Sequence, residues 1–185
     1  LAGNAGEEQP QTLLNYDSTG NVTERNDFIY DASGALLRSE TRNGPDVTSP
    51  LASVVYFSGT KGQEKPSYVL AYDSTGGVSS RSDYSYDALG ALTRIDVRRT
   101  DDLSAPIISS TFFTGAPGEE RISHTFAYND QGQFLSRNDY TFAPDGRLLK
   151  VETRLVDDPA APVNNATFFQ GPAGQEIPDY AFSFD

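Results

Sequence analysis

A single histidine is the residue in this sequence with the clearest potential for catalysis. His124 is the one imidazole among 185 residues, and the positions 56 residues before and after it hold Tyr68 and Tyr180. A catalytic histidine has to lie beside a nucleophile or an acid. The chain has no cysteine and no Gly-x-Ser-x-Gly, His-Glu-x-x-His or phosphate-binding glycine loop. We therefore interpret His124 as a strand or surface residue and predict that the chain is not an enzyme.

Carboxylates are abundant, and two kinds of site would use them. Three aspartates recur at one spacing, each with basic residues nearby: Asp27, Asp83 and Asp139. A glycosidase needs two such acids flanking a sugar, but the basic residues favour ion pairing instead. Further aspartates stand in longer loops, where they would suit calcium: Asp46, Asp101, Asp102, Asp157 and Asp158. Because the first of these loops, "NGPDVTSP", has only one acid, we predict solvated acidic loops with no metal and no cofactor.

Composition narrows the possible partners. With 14 basic and 26 acidic residues the formal net charge is −12, which repels phosphate backbones and anionic lipid headgroups and so argues against nucleic-acid binding. No segment approaches the roughly 18 consecutive apolar residues of a membrane-spanning helix. Cysteine and methionine are both absent, so there is no disulfide framework and no sulfur to oxidise. These features favour a secreted or cell-surface location.

The chain repeats itself with a period of 56 residues. The segment "NDFIYDASGALLR" at 26–38 returns as "SDYSYDALGALTR" at 82–94 and as "NDYTFAPDGRLLK" at 138–150. Tyr16, Tyr72 and Tyr128 keep the same interval, as do Pro50 and Pro106. Repeats of this length are typical of array proteins, whose units stack on one another. We predict one repeat array over 1–185, with units at approximately 1–56, 57–112 and 113–168 and a partial unit at 169–185.

Each unit reads as about four short strands. In the second unit, "SYVLAY", "GVSSRSDYSY", "ALTRIDVRR" and "IISSTFF" are rich in β-branched and aromatic residues and are separated by Asp, Gly and Pro. The predicted fold is all-β, with antiparallel hairpin repeats in an extended or superhelical sheet; propeller-type blades of four strands are the alternative. The turns are predicted to use Asp as a hydrogen-bond acceptor and Gly for positive φ. The predicted turn residues are Asp17, Gly20, Asp31, Gly34, Asp73, Gly76, Asp87, Gly90, Gly132 and Gly146.

Charge pairing predicts how the strands of the second hairpin align. If Tyr86 faces Ala91, then Asp83 lies opposite Arg94 and Arg81 lies opposite Asp96, and such cross-strand pairs stabilise a sheet. The other two copies give the same arrangement, namely Asp27 with Arg38, Arg25 with Glu40, Asp139 with Lys150 and Arg137 with Glu152. A turn with a glycine bulge would instead shift the pairing by one residue and set Tyr84 against Arg94.

Three segments carry a family likeness: "FIYDASGALLR", "YSYDALGALTR" and "YTFAPDGRLLK". They resemble the tyrosine–aspartate (YD or Rhs) repeats of large bacterial surface and toxin-shell proteins, whose motif is roughly aromatic-x-Tyr-Asp-x-x-Gly-Arg/x-Leu. The strict 56-residue period departs from that family, in which the spacing is usually shorter and more irregular. The resemblance implies a long hairpin-built sheet that winds into an extracellular shell or stalk, with any catalysis in a separate toxin domain.

The expected function is therefore structural. The first and last residues fall inside the repeat, which favours either a segment of a longer array or end-to-end association of copies into a bacterial surface filament, stalk or shell. The candidate contacts between copies are Leu13, Leu14, Tyr16, Tyr180, Phe182 and Phe184. The alternative function is a carbohydrate-binding adhesin module, in which rings such as those of Tyr68 and Tyr84 stack on a glycan.

Overall fold

A computed structural model describes residues 8–184 as one antiparallel sheet of 13 strands, whose hydrogen-bonded order follows the chain order. The strands are β1 (Thr12–Tyr16), β2 (Val22–Tyr30), β3 (Leu36–Arg42), β4 (Leu51–Ser58), β5 (Lys65–Tyr72), β6 (Val78–Tyr86), β7 (Leu92–Arg98), β8 (Ser109–Thr114), β9 (Arg121–Tyr128), β10 (Phe134–Phe142), β11 (Leu148–Arg154), β12 (Asn165–Gln170) and β13 (Ile177–Ser183). Between residues 8 and 184 there is no helix, and so none that could cross a membrane.

The strands are not divided into separate four-stranded blades. Such blades would leave β4 and β8 without hydrogen bonds to the strands that follow them. Instead β4 pairs with β5 through contacts such as Val54 with Leu70, and β8 pairs with β9 through contacts such as Ser110 with Phe126. The propeller alternative is therefore wrong for these strands.

The chain forms two compact units. One extends to Tyr84 and also takes in Arg98–Leu103, and the other consists of Ser85–Val97 and the residues from Ser104 onward. Few apolar side chains are fully buried within them. The buried hydrophobic residues are Ala35, Val54, Leu70, Ala91, Ala143 and Ala166. Since these side chains are mostly small, the sheet depends on ordered polar contacts as well as on apolar packing.

Four of the six predicted hairpin turns begin with an aspartate and have a glycine three residues later, and in the last two turns Asn129 and Ala143 replace the aspartate. At the first turn the Asp17 carboxylate accepts the Thr19 amide at 2.8 Å and the Asn21 amide at 2.9 Å, and these bonds, led by one from the Thr19 hydroxyl, lower the pKa of Asp17 to about 2. Gly20 follows with φ of +87°, a conformation that costs an L-residue steric energy. The other predicted turn glycines, Gly34, Gly76, Gly90, Gly132 and Gly146, have φ between +75° and +91°.

The pairing of β2 with β3 and of β10 with β11 differs from both predicted registers. In the first hairpin Asp27 lies opposite Glu40 rather than Arg38, and Arg25 lies opposite Arg42 rather than Glu40. In the third hairpin Asp139 lies opposite Glu152 instead of Lys150, and Arg137 lies opposite Arg154 instead of Glu152.

The turn and the bulge beside it explain this correction. The amide of Asp31 bonds to the carbonyl of Ala35, so Tyr30 pairs with Leu36, and a bulge between Ile29 and Tyr30 adds one more residue. The register moves by two residues from the charge-paired prediction. The one-residue shift is also wrong for the first hairpin, because Phe28 lies opposite Ser39. A two-residue shift keeps every side chain on its face and changes only its partners.

Candidate functional site

The charged residues of the hairpins form ion pairs along each strand. Alternate residues of a strand point to the same face, and in this sheet a basic residue pairs with the acid two positions later. The Arg25–Asp27 distance is 2.7 Å and the Arg38–Glu40 distance is 2.8 Å. The same spacing holds for Arg81–Asp83, Arg94–Asp96, Arg137–Asp139 and Lys150–Glu152. All twelve residues predicted to pair across strands therefore take part in ion pairs, and each has a partner on its own strand.

A further set of arginines connects neighbouring strands. Arg98 contacts Asp83 at 2.7 Å, and Arg154 contacts Asp139 at 2.8 Å and Glu152 at 3.4 Å. Arg154 is buried and also donates to the carbonyl of Ala161 at 3.0 Å. These arginines were not among the predicted pairing residues, although Arg42, Arg98 and Arg154 keep the 56-residue interval. That interval is the sequence signal by which they can be found.

Two acids of the long loops also belong to this network. Asp101 contacts Arg81 at 2.7 Å and Asp157 contacts Arg137 at 3.0 Å. In the first loop the carbonyl of Pro45 accepts from Arg25 at 3.3 Å instead. These loop acids hold the long loops against the sheet by ion pairing, a role that the solvated-loop interpretation did not include. Within residues 8–184 no group of three or more His, Cys, Asp or Glu side chains is placed to hold a metal ion.

The ion pairs from Arg25–Asp27 to Lys150–Glu152 are here called the charged ladder, and they shift the pKa of some of their members. The bond to Arg25 lowers the pKa of Asp27, and the bond to Arg38 lowers the pKa of Glu40. In turn the pKa of Arg25 is raised, chiefly by its hydrogen bond to Asp27. Arg25 and Asp27 therefore hold each other in their charged forms.

Aromatic rings stack at one repeated position beside the ladder. The ring centroids of Tyr56 and Tyr68 are 4.3 Å apart, and those of Phe168 and Tyr180 are 4.6 Å apart. An arginine from the following strand covers the first stack, because the Arg81 guanidinium carbon lies 4.0 Å from the centre of the Tyr68 ring. Such a contact adds cation–π attraction to ring stacking. Tyr68 therefore has the Tyr56 ring of β4 on one side and the Arg81 guanidinium of β6 on the other.

His124 occupies the same stacking position in the third unit. Its ring lies 4.4 Å from that of Phe112 with an angle of 9° between the planes, and its Nδ1 is 2.8 Å from the Ser123 hydroxyl. Burial is the main cause that lowers the pKa of His124, and Arg137 lowers it further. The imidazole therefore acts as a flat, neutral ring where Tyr68 and Tyr180 present phenol rings.

Three glutamates each accept a hydrogen bond from the backbone amide of a strand residue 28 positions earlier in the chain. The carboxylate of Glu64 accepts the Leu36 amide at 2.9 Å, and that of Glu120 accepts the Leu92 amide at 3.0 Å. Glu176 does the same for Leu148 at 2.9 Å. The bonds to Leu36 and Leu148 are the leading causes that lower the pKa of Glu64 and Glu176. The 56-residue pattern contains these glutamates, but sequence alone gave no indication of what they bind.

β13 is the most exposed aromatic strand of the structure. Its side chains Tyr180 and Phe182 are 48% and 53% exposed, and Phe184 just after the strand is 51% exposed. Leu70, which holds the place of Phe182 on β5, is only 4% exposed. Within residues 8–184 no strand pairs with the outer edge of β13. β1 has an exposed edge as well, where Leu13 and Tyr16 are 52% and 60% exposed. Leu14, the remaining candidate contact, is half-buried.

Comparison with known proteins gives only distant structural similarity. No family model matches the chain, and no curated protein matches it. A crystal structure of TcdB2-TccC3-Cdc42 is similar over 90% of this chain, with 14% sequence identity and a TM-score of 0.39. A porin-like protein from Bacteroides uniformis is similar over 82% of it, with 12% identity and a TM-score of 0.38. The chain spans 10% of the first of these proteins and 55% of the second.

Proposed function

We propose that this chain is a structural segment of a bacterial extracellular or cell-surface protein. Its 56-residue units build one β-sheet, and that sheet continues from copy to copy into a filament, stalk or shell. The observation that carries the proposal is the outer strand β13, on which Tyr180 and Phe182 are exposed and which is followed by the exposed Phe184. Exposed aromatic strands with open edges are association sites, because main-chain pairing and apolar burial then act together.

The charged ladder supports a structural role over glycan binding. Glycan recognition by ring stacking needs an accessible aromatic face, but the ring of Tyr68 stacks on Tyr56 and lies under Arg81. Ion pairs along and between strands connect the same residues to the long loops. This arrangement joins successive hairpins and keeps the Tyr68 ring in contact with the sheet itself.

Association of the 185-residue chain tests the proposal. Light scattering over a range of protein concentrations is expected to show growing assemblies, and negative-stain microscopy should show them as elongated or curved structures. The triple variant Tyr180→Ser, Phe182→Ser and Phe184→Ser keeps the strand but removes the exposed rings, and it is expected to be monomeric.

A matched control changes the other face of β13. The substitutions Asp179→Ser and Ala181→Ser leave the three rings in place and should not reduce assembly. If the unmodified chain stays monomeric at the highest concentrations, or if the triple variant assembles as well as the unmodified chain, end-to-end association through β13 is wrong.

A further inference from the structure

β9 shows what surrounds a strand of this repeat position when both of its edges are occupied. On one side it pairs with β8, where Phe112 lies opposite His124 and Ser110 lies opposite Phe126. On the other side it pairs with β10, where Asp139 lies opposite His124 and Arg137 lies opposite Phe126. The complete environment is therefore a ring-bearing strand on one edge and a charged strand on the other.

β13 and β1 each have one half of this environment. β13 pairs with β12, where Phe168 lies opposite Tyr180 and Ala166 lies opposite Phe182, as β8 does with β9. β1 pairs with β2, where Asp27 lies opposite Thr12 and Arg25 lies opposite Leu14, as β10 does with β9. β13 therefore already has a neighbour like β8, namely β12, and β1 already has a neighbour like β10, namely β2.

We propose that copies of this chain join by strand exchange, in which β13 of one copy pairs with β2 of the next copy and replaces that copy's own β1. The proposal rests on the proposed function and specifies its junction. β12, β13 and the partner's β2 would then reproduce the set of β8, β9 and β10. The occupant of the outer edge of β13 is a second copy of this chain.

The side chains at the exchanged position are complementary. By the β9–β10 register, Tyr180 lies opposite Asp27 of the next copy, and Phe182 lies opposite its Arg25. The guanidinium of Arg137 lies 5.5 Å from the ring of Phe126, the residue that corresponds to Phe182. Arg25 therefore gains an aromatic ring that its own β1 does not supply, since Leu14 stands there. A cation over an aromatic face is attracted by the ring.

β1 is the weaker occupant of the position. It has five residues where β5 and β9 have eight, and only Leu14 among its side chains is even half-buried. Thr12 stands where β13 has Tyr180, and its hydroxyl bonds to Asp27 at 2.8 Å. Exchange replaces this exposed contact by burial of aromatic surface, which is the larger source of stability.

Exchange also accounts for strand order better than simple addition at the edge. Addition of β13 beside β1 would place two strands of the same repeat position next to each other. In the described sheet a strand of this position lies beside other kinds of strand, as β9 lies between β8 and β10. Only replacement of β1 continues the existing alternation.

Engineered cysteines distinguish the two junctions, because the natural chain has none. Ala181→Cys in one preparation is mixed with Asn26→Cys in another, and the mixture is oxidised mildly. Thr125 lies opposite Asn138 in the β9–β10 register, so exchange places residues 181 and 26 of different copies opposite each other, within reach of a disulfide. We expect this mixture to give a mixed disulfide dimer in high yield, with Ala32→Cys in place of Asn26→Cys as the collision control.

A parallel mixture of Ala181→Cys with Leu13→Cys reports addition of β13 beside β1. A dominant 181–13 product, or assembly with no 181–26 product above the Ala32 control, would overturn strand exchange and leave end-to-end association intact. Absence of any assembly would overturn both proposals. As a second readout, Leu14→Ser loosens β1 and is expected to lower the concentration needed for assembly several-fold. A higher required concentration would count against exchange.

Discussion

At the scale of single residues, His124 takes the stacking role of Tyr68, which lies 56 residues earlier, although the amino acid differs. His124 stacks on Phe112 as Tyr68 stacks on Tyr56. The 56-residue interval predicts this equivalence, because Tyr68 and Tyr180 lie one interval before and one interval after His124. It did not identify the stacking partner, because that contact depends on the register between β8 and β9.

The pH dependence of stability should show that His124 is neutral in the folded chain. Burial lowers the pKa of His124 below its ordinary value of 6.5, so the unfolded chain binds a proton more readily than the folded chain between the folded pKa and 6.5. Stability therefore rises with pH through this window and falls as the solution is acidified below about 6.5.

Urea unfolding of the unmodified chain and of the His124→Tyr variant at pH 5.5 and 7.5 measures this effect. Tyr at 124 is the residue that the chain already uses at 68 and 180, so the variant should fold and should lose less stability on acidification. Equal losses in both proteins would show that His124 does not titrate with unfolding.

At the scale of strands and turns, sequence predicted the hairpins well but not their alignment. Strand-like segments, Asp acceptors and turn glycines are local features, and they follow from side-chain shape and backbone sterics. Alignment depends on the bulge beside each turn, which adds a residue without a local signature as clear as the glycine. Because Arg25 and Asp27 share one face, the charge pattern is consistent with pairing along a strand or across strands. The structure shows the pairs along the strand.

A pair of double-mutant cycles tests the observed alignment in the third hairpin. Arg137 and Asp139 are 2.8 Å apart, and their side chains are 13% and 22% exposed. We expect Arg137→Ala and Asp139→Ala to couple by about 0.5–1 kcal/mol in the free energy of unfolding. Arg137→Ala and Glu152→Ala, the pair expected from charge matching across strands, should couple more weakly, because these two residues are linked only through Asp139 and Arg154. The reverse ranking would restore the cross-strand register.

The glutamate that fixes each hairpin offers a comparison between adjacent residues. Glu120 accepts the Leu92 amide, whereas the neighbouring Glu119 is exposed. Glu120→Ala is expected to lower the melting temperature and to speed hydrogen exchange at the Leu92 amide, since that amide loses its acceptor. Glu119→Ala is the control and should change neither quantity. Equal effects of the two substitutions would mean that lost charge, and not the hydrogen bond, is responsible.

At the scale of the whole molecule, composition and periodicity predicted an all-β chain, and the structure confirms an antiparallel sheet. The association surface is not visible in the sequence, which shows that Tyr180 and Phe182 are aromatic but not that they lie exposed on an outer strand. Exposure depends on which strands pair, and pairing is a property of the assembled sheet. The arginines of the charged ladder are likewise visible in the sequence as a repeat, but their ion-pair partners are visible only in the structure.

Salt should leave the association of copies unchanged or strengthen it. Each chain carries a formal net charge of −12, so approaching copies repel one another, and added salt screens that repulsion. A junction made by main-chain pairing and aromatic burial loses little to screening. Light scattering at increasing sodium chloride concentration should therefore show unchanged or greater assembly. Dissociation at high salt would instead indicate a junction held mainly by ion pairs.

The agreement between strand order and chain order has a consequence for synthesis and export. Each new strand hydrogen-bonds to the strand made just before it, and the glutamate contacts reach back only 28 residues. A chain that emerges gradually from a ribosome or a secretion channel can therefore fold hairpin by hairpin, without waiting for a distant partner. We expect folding to keep pace with emergence, so that little unpaired strand is exposed at any moment.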